Sequence, residues 1–319
     1  MLPALLLAAL AAFSCQSFGI SVEECYTIGM AYFELGKYEE AERWLSRAGS
    51  AGRTRAASEY NLGRIAFETG RYGEAADHFG RVLEQDQDNV MALRALAYTR
   101  IKTGEKEEAA ALYRRVLALV PDSADDGYNH ALVLYALENY TEAEELLLSR
   151  QYILAQNKDM LLLLARTQRA LGKVEAADSY AQWLVDGKDS RVRYEYARTL
   201  EDAELYAKAL EEYQTALTDL PPDSKNPGAA DLRFSMARVY LVADADNPQG
   251  MIELKNALDA GFAGREEMET LAEDQRIPGT VREEIRQLTG GLPSEAPESA
   301  ESSASPESSG ASEFPKVVE

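Results

Sequence analysis

Apolar and small residues recur three and four positions apart along residues 22 to 260, and charged residues lie between them. Leu62 and Ala66 show this spacing in one segment, and Phe79 and Val82 show it in the next. Such a period places the apolar side chains on one face of an α-helix. The pattern therefore predicts a long series of short amphipathic helices.

Small residues form two grids along the same stretch, mostly with a period of 34 residues. The first grid is Ala41, Ala75, Ala109, Ala143 and Ala177, then Ala209 and Gly250 at less regular intervals. The second grid lies 12 residues ahead of the first in most units and contains Gly29, Gly63, Ala97, Ala131, Ala165, Ala197 and Ala237. Two helices joined by a tight turn cross closely, and a side chain beyond a methyl group does not fit at the crossing. The grids predict seven helix-turn-helix units.

Glycine marks the turn between the two helices of several units, because it readily adopts the left-handed backbone that ends a helix. These glycines are Gly36, Gly70, Gly104 and Gly172. Two residues after this turn position are the tyrosines Tyr38, Tyr72, Tyr140 and Tyr206. The pattern resembles the tetratricopeptide repeat, a 34-residue helix-turn-helix unit with small residues at its eighth and twentieth positions and an aromatic residue at its seventeenth.

The resemblance implies an all-α, right-handed superhelical solenoid of about seven units over residues 22–289. The units start near Val22, Ala56, Val90, Ala124, Lys158, Ser190 and Ala230. A C-terminal capping helix, with Thr280 as its N-cap, ends the solenoid. Residues 290–319 are rich in Ser, Ala, Glu and Pro, and this composition predicts a disordered tail.

Some positions depart from the repeat pattern. Arg150 lies where the fourth unit should be apolar, so we expect a loosened second helix there. Residues 244–250, "DADNPQG", form an acidic insertion in the seventh unit. The acidic pair Glu144 and Glu145 is expected on a solvated helix exterior.

The N-terminus begins with a short apolar segment, "LPALLLAALAAF", which is typical of a signal peptide over residues 1–14. The following "AAFSCQS" resembles the lipobox of bacterial lipoproteins, which implies that Cys15 is lipidated and that residues 15–21 form a linker. The expected location is the bacterial cell envelope, periplasmic or surface-exposed. The alternative is an ordinary secretory signal that is cut near Ala11 or Ala12.

Charge and composition exclude several functional classes. The chain has 33 basic and 54 acidic residues and a formal net charge of -21, which argues against binding to nucleic acid. His130 is predicted on a buried helix face, and His78 is expected to pack or lie exposed rather than catalyse. We find no catalytic or nucleotide-binding motif. The sequence therefore predicts a protein that is not an enzyme and that uses neither a cofactor nor a metal.

The concave face is the strongest functional signal. In tetratricopeptide repeats the first helices line a groove, and this resemblance places the fifth, ninth and twelfth residues of each unit there. The 21 positions contain six Arg, one Glu and nine aromatic residues, a local reversal of the net charge. The predicted binding residues are Tyr26, Tyr60, Arg64, Phe67, Arg94, Tyr98, Tyr128, Tyr135, Arg166, Arg169, Tyr194, Arg198, Phe234 and Arg238. The other positions are Met30, Phe33, Ile101, Leu132, Leu162, Glu201 and Leu241.

Arginine and aromatic residues are enriched in recognition surfaces. We therefore predict a non-catalytic scaffold that binds another protein or an extended peptide of acidic and apolar character. The competing interpretation is that these rings pack between repeats and that the arginines pair with rim carboxylates such as Asp202. Two other functions stay open: ligand capture for a transporter, and surface adhesion. A further possibility is that the segment "EFPKVVE", residues 313–319, occupies the groove of its own chain.

Overall fold

The computed structural model describes residues 20–50, 52–154, 156–185, 188–244 and 247–292. Within these ranges the chain forms seventeen helices and no strand. The predicted signal peptide and Cys15 lie outside the described residues, as does the tail from residue 293 onward. The all-α prediction is confirmed.

Along the chain the helices follow one another as seven pairs, each with a first and a second helix, and a terminal pair. The first helices of the seven pairs are α1 (Val22–Glu34), α3 (Arg55–Glu68), α5 (Val90–Thr103), α7 (Ala124–Ala136), α10 (Lys158–Ala170), α12 (Ser190–Asp202) and α14 (Ala229–Ala243). The second helices are α2 (Tyr38–Ala48), α4 (Tyr72–Gln85), α6 (Lys106–Leu119), α8 (Tyr140–Leu148), α11 (Glu175–Leu184), α13 (Tyr206–Thr218) and α15 (Pro248–Asp259). A short helix, α9 (Gln151–Leu154), follows α8, and the terminal pair is α16 (Arg265–Glu273) and α17 (Gly279–Gly290). The predicted unit starts agree with these bounds to within one residue.

The described residues fall into two compact units, 20–133 and 134–292, which meet in sequence within α7. In the first unit, Phe79 and Val82 of α4 pack with Ala92 of α5. In the second, Tyr213 of α13 packs with Leu232 of α14. Within each unit, these helix pairs therefore bury their apolar faces against the next pair, as expected for a repeat array.

Close packing explains the small-residue grids. A Cβ atom added to Gly63 would lie 2.6 Å from a ring carbon of Phe79, and one added to Gly29 would lie 2.8 Å from Leu45. Ala143 is completely buried. The small residues are required because the paired helices leave no room for larger side chains.

The fifth unit departs from the grid by one residue. Ala176 is completely buried, whereas Ala177 is only partly buried, so the prediction of Ala177 as the fifth grid position is wrong. The physical reason is a tighter start to α11. The amides of Ala176 and Ala177 bond to carbonyls three residues back, at Lys173 and Val174, whereas the corresponding amide of Ala143 bonds four residues back. This 3₁₀-like turn rotates the helix by about one position.

Two expectations for the fourth unit had different outcomes. The α8 helix has nine residues and ends at Leu148, which agrees with the expected loosening near Arg150. Arg150 itself is buried, and its Nη1 donates to the Leu146 carbonyl. Glu144 is buried as well and accepts a hydrogen bond from Lys173 Nζ at 2.5 Å, so its predicted exposure is wrong. The next pair covers this position of α8.

The C-terminal cap is a helix pair rather than one helix. Pro278, not Thr280, is the N-cap of α17, so the prediction for Thr280 is wrong. Met268 of α16 and Ile285 of α17 are buried in one cluster with residues of α14 and α15. Leu292 packs on this cluster, so the packed residues extend past the predicted solenoid boundary at residue 289 to residue 292.

Candidate partner-binding surface

The predicted residues in the first compact unit are half-buried on α1, α3, α5 and α7, with one exception described below. We define the N-terminal surface as Tyr26, Arg64, Phe67, Arg94, Tyr98 and Tyr128. The Arg64 guanidinium lies 4.5 Å from the centroid of the Phe33 ring, and the rings of Phe67 and Tyr98 are 5.2 Å apart. These contacts join adjacent repeats, as the competing interpretation expected.

Asn61 connects two members of this surface. Its Nδ2 donates to the Tyr26 hydroxyl at 3.2 Å, and its Oδ1 accepts from Arg64 Nη1 at 3.2 Å. Amide and hydroxyl groups therefore hold Tyr26 and Arg64 in place on α1 and α3. Such held side chains lose little conformational entropy when they meet a partner.

Arg94 is neutralised by the next repeat. Its Nε and Nη2 donate to the Asp126 carboxylate at 2.8 and 2.6 Å, and Asp126 is 2% exposed. These hydrogen bonds raise the pKa of Arg94 above its usual value. Because a bidentate pair satisfies the guanidinium, Arg94 presents little unneutralised charge to a partner.

In the second compact unit we define the C-terminal surface as Tyr135, Arg166, Arg169, Tyr194 and Arg198, all half-buried. Glu195 of α12 accepts from Arg166 Nε and Nη2 of α10 at 2.8 and 2.7 Å. The hydroxyl of Tyr180 donates to the same carboxylate at 2.9 Å. Burial alone would lower the pKa of Arg166, but the bonds to Glu195 raise it above its usual value. We call this arrangement of tyrosine, carboxylate and arginine a latch.

A second latch joins α12 to α14. Arg238 donates to Glu201 from Nε at 2.6 Å and from Nη2 at 2.8 Å, and the Tyr213 hydroxyl donates to Glu201 at 2.8 Å. Burial raises the pKa of Tyr213, and the Glu201 charge adds to this effect. Arg238 is therefore part of the repeat interface.

The two remaining arginines of the C-terminal surface differ in their contacts. Arg169 Nη2 lies 3.5 Å from the exposed carboxylate of Asp202, the rim residue that the competing interpretation named. Arg198, on α12 between the latches, makes no hydrogen bond or ion pair with any residue that the structure describes. It is the groove arginine most available to an outside carboxylate.

Three predicted groove residues are in the core, and their assignment to the groove is wrong. Tyr60 is 7% exposed and packs near Phe79, with 5.6 Å between ring centroids. Phe234 is 3% exposed because Phe262 stacks on its ring at 4.1 Å, and Leu241 is fully buried in the same cluster. The residues after α15 thus cover this face of α14.

Sequence reasoning missed the acidic partners of Arg94 and Arg166. Asp126 and Glu195 lie 32 and 29 residues after Arg94 and Arg166, close to one repeat length. An acidic residue about one period after a groove arginine is a signal that could have identified these pairs. The prediction that His130 is buried is confirmed, and His78 packs against Glu59 at 2.7 Å.

Among the described residues, no group of three or more His, Cys, Asp or Glu side chains is arranged to hold a metal ion. No helix in those same ranges is both long enough and apolar enough to cross a membrane.

Comparisons with known proteins agree with the helix-pair architecture. One family model of the tetratricopeptide repeat matches residues 60–124 and 162–227, and a second model of that description matches residues 25–48. No curated protein matches the sequence.

Solved structures resemble the fold. A tetratricopeptide repeat protein from Parabacteroides merdae is 20% identical, with a TM-score of 0.54, over 85% of this chain and all of that one. The C-terminal part of a repeat-containing protein from Cytophaga hutchinsonii is 15% identical, with a TM-score of 0.57, over 70% of this chain and 93% of that one. At these identities the likeness concerns the fold.

Proposed function

Because the chain is a tetratricopeptide-repeat protein, we propose that it is a non-catalytic scaffold that binds a partner protein through an extended segment. The observation that carries the proposal is the row of half-buried aromatic rings on the first helices. Tyr98 and Tyr128 exemplify it in the first compact unit. Aromatic rings contribute large contact areas at low entropic cost, which favours them at protein interfaces.

The bound segment should be mainly apolar and weakly acidic. Arg94 and Arg166 are already paired with Asp126 and Glu195, so they offer less attraction for acidic groups than the sequence pattern alone indicated. Arg198 supplies one unengaged cation within the described residues. A partner with one or two carboxylates beside apolar or proline residues matches this chemistry.

Photo-crosslinking tests the proposal. A photoreactive amino acid at Tyr98 in the native host should capture a discrete protein, whereas one at exposed Glu145 on α8 should not. Arg198→Glu should reduce capture, and Lys208→Glu, an equal charge change at an exposed site on α13, should leave it unchanged. A folded, abundant bait that captures no protein at Tyr98 would contradict the scaffold function.

The envelope location is part of the same proposal. Its support is the sequence "AAFSCQS", in which small and apolar residues precede Cys15. Cys15→Ala should release the chain from the membrane fraction and abolish labelling by a fatty-acid analogue. Retention of both properties in that variant would contradict lipidation at Cys15.

A further inference from the structure

The segment 313–319 differs chemically from the residues before it. Residues 293–312 carry no apolar side chain larger than Ala or Pro, whereas Phe314, Val317 and Val318 follow within a few positions. Chains that only remain solvated need no Phe or Val, because such residues favour burial. This composition is typical of a docking segment that follows a polar linker.

The linker reaches the C-terminal surface easily. Leu292 packs on the cap of the second compact unit, so residues 293–312 start on the unit that carries Arg198. Twenty residues span at most about 66–72 Å. A compact unit of about 150 residues, the size of the second unit, has a radius of gyration of about 15 Å. The extended linker is several times longer than this radius.

The dimensions of segment and surface agree. Seven extended residues cover about 23 Å, and packed helices lie about 8–10 Å apart, so the segment spans three first helices. In the second unit these helices carry Tyr135 on α7, Arg169 on α10 and Arg198 on α12. Burial raises the pKa of Tyr135, whereas the nearby charges of Arg166 and Arg169 act to lower it, so these three side chains lie in one neighbourhood.

The side chains of the segment are also complementary to those of the C-terminal surface. Phe314 and Pro315 suit the rings of Tyr135 and Tyr194, since aromatic and proline side chains pack well on tyrosine. Flanking carboxylates at Glu313 and Glu319 suit Arg198, the surface arginine without a partner among the described residues.

We propose that residues 313–319 bind the C-terminal surface of their own chain, with a flanking carboxylate paired to Arg198, and that an outside partner must displace them. The inference rests on the binding surface of the proposed function. It adds a built-in competitor, which would lower the apparent affinity for any partner by the fraction of surface that is occupied.

A peptide titration tests this inference with no outside partner. The probe is a fluorescent peptide of residues 311–319, and its binding is measured to the full-length chain and to the full-length variant Phe314→Asp/Val317→Asp. With an effective concentration of about 1 mM for the tethered segment and a Kd of about 100 µM, the unmodified chain should bind about tenfold more weakly than the variant. Ser302→Asp/Ser308→Asp, an equal charge change in the linker, should bind like the unmodified chain.

Two further substitutions test whether the peptide binds at the C-terminal surface. Introduced into the tail variant, Arg198→Glu should weaken peptide binding at least fivefold, and Lys208→Glu should leave it unchanged. Equal peptide affinity for the unmodified chain and the tail variant, or no binding to either, would overturn the inference. A loss of binding in both substitutions would exclude Arg198 as the contact and overturn the proposed site.

Dilution distinguishes the chain's own segment from that of a second copy. Hydrogen exchange of α10 and α12 in the unmodified chain should be slower than in the tail variant, and equally so across a hundredfold dilution. Protection that fades on dilution would overturn the intramolecular form. The peptide result is independent of crosslinking in cells, so either proposal can fail without the other.

Discussion

Glu195 makes the interactions between the fifth and sixth repeats that are easiest to test. Its carboxylate accepts two hydrogen bonds from Arg166 and one from Tyr180, and the side chains of Glu195 and Arg166 are 18% and 25% exposed. Removing one member of a buried ion pair costs about 3–5 kcal/mol, and partial exposure lowers this cost. We therefore expect Glu195→Gln to lower the free energy of unfolding by about 2–3 kcal/mol.

A double-mutant cycle separates the latch from general damage. Arg166→Met in the Glu195→Gln chain removes the stranded guanidinium, so the double variant should lose less stability than the sum of the single variants. The expected coupling is about 1–2 kcal/mol. As a control, Glu284→Gln acts on an exposed pair with Lys255, at 2.9 Å, and should cost less than about 0.5 kcal/mol.

The assay must resolve single repeats, because repeat arrays can lose their structure locally. Urea unfolding followed by circular dichroism gives the overall change, and amide hydrogen exchange in α10 and α12 locates it. Exchange should accelerate in these helices more than in α16 and α17. A coupling energy near zero, or acceleration spread evenly over the chain, would refute the reasoning.

Three other predictions follow from packing and burial. Ala143→Leu should lower the free energy of unfolding by about 1–3 kcal/mol in a urea titration, because the completely buried site has no room for the larger side chain. Gly63→Ala should likewise destabilise the chain, since its new Cβ would meet the Phe79 ring, and a stability equal to the unmodified chain would contradict the crossing geometry. Burial raises the pKa of Tyr180 and of Tyr213 above the usual value of about 10. Their contribution to stability is therefore complete below about pH 10 and falls as the pH rises further. Tyrosinate absorbance should show both groups ionising only as helical circular dichroism is lost; ionisation before that loss would contradict their burial.

The helix pairs could be predicted from the sequence because their constraint is local and periodic. Every unit needs a small side chain where its two helices cross. Ala143 and Gly63 therefore indicate the helix pair from the sequence alone, even when the residues they contact are not known. The same periodicity failed at Ala177, where a 3₁₀-like start to α11 shifts the buried position to Ala176. The sequence does not show this change of hydrogen bonding over one turn, because both Ala176 and Ala177 are small and fit the pattern of the grid.

The binding surface was harder to predict because repeat position alone does not determine what covers a side chain. Phe234 occupies a groove position by number, yet Phe262 stacks on it. Arg238 occupies another, yet Glu201 neutralises it. Glu201 lies in another helix and Phe262 lies in the loop after α15, and no short-range pattern in the sequence links either of them to its partner. The local positive charge inferred from the groove positions was therefore too large, because it included the arginines but not the carboxylates that neutralise them.

The latches also have a consequence for how such an array can evolve. Arg166 and Glu195 lie in successive repeats, whereas Arg238 reaches back to Glu201 from the following repeat. Both carboxylates lie in the sixth repeat, but one pairs with an arginine of the preceding repeat and the other with an arginine of the following repeat. Duplicating, deleting or shuffling one repeat would place like charges together or leave a carboxylate stranded. In this part of the array the repeats are no longer interchangeable, because the charge pairs between them fix the order in which they must follow one another.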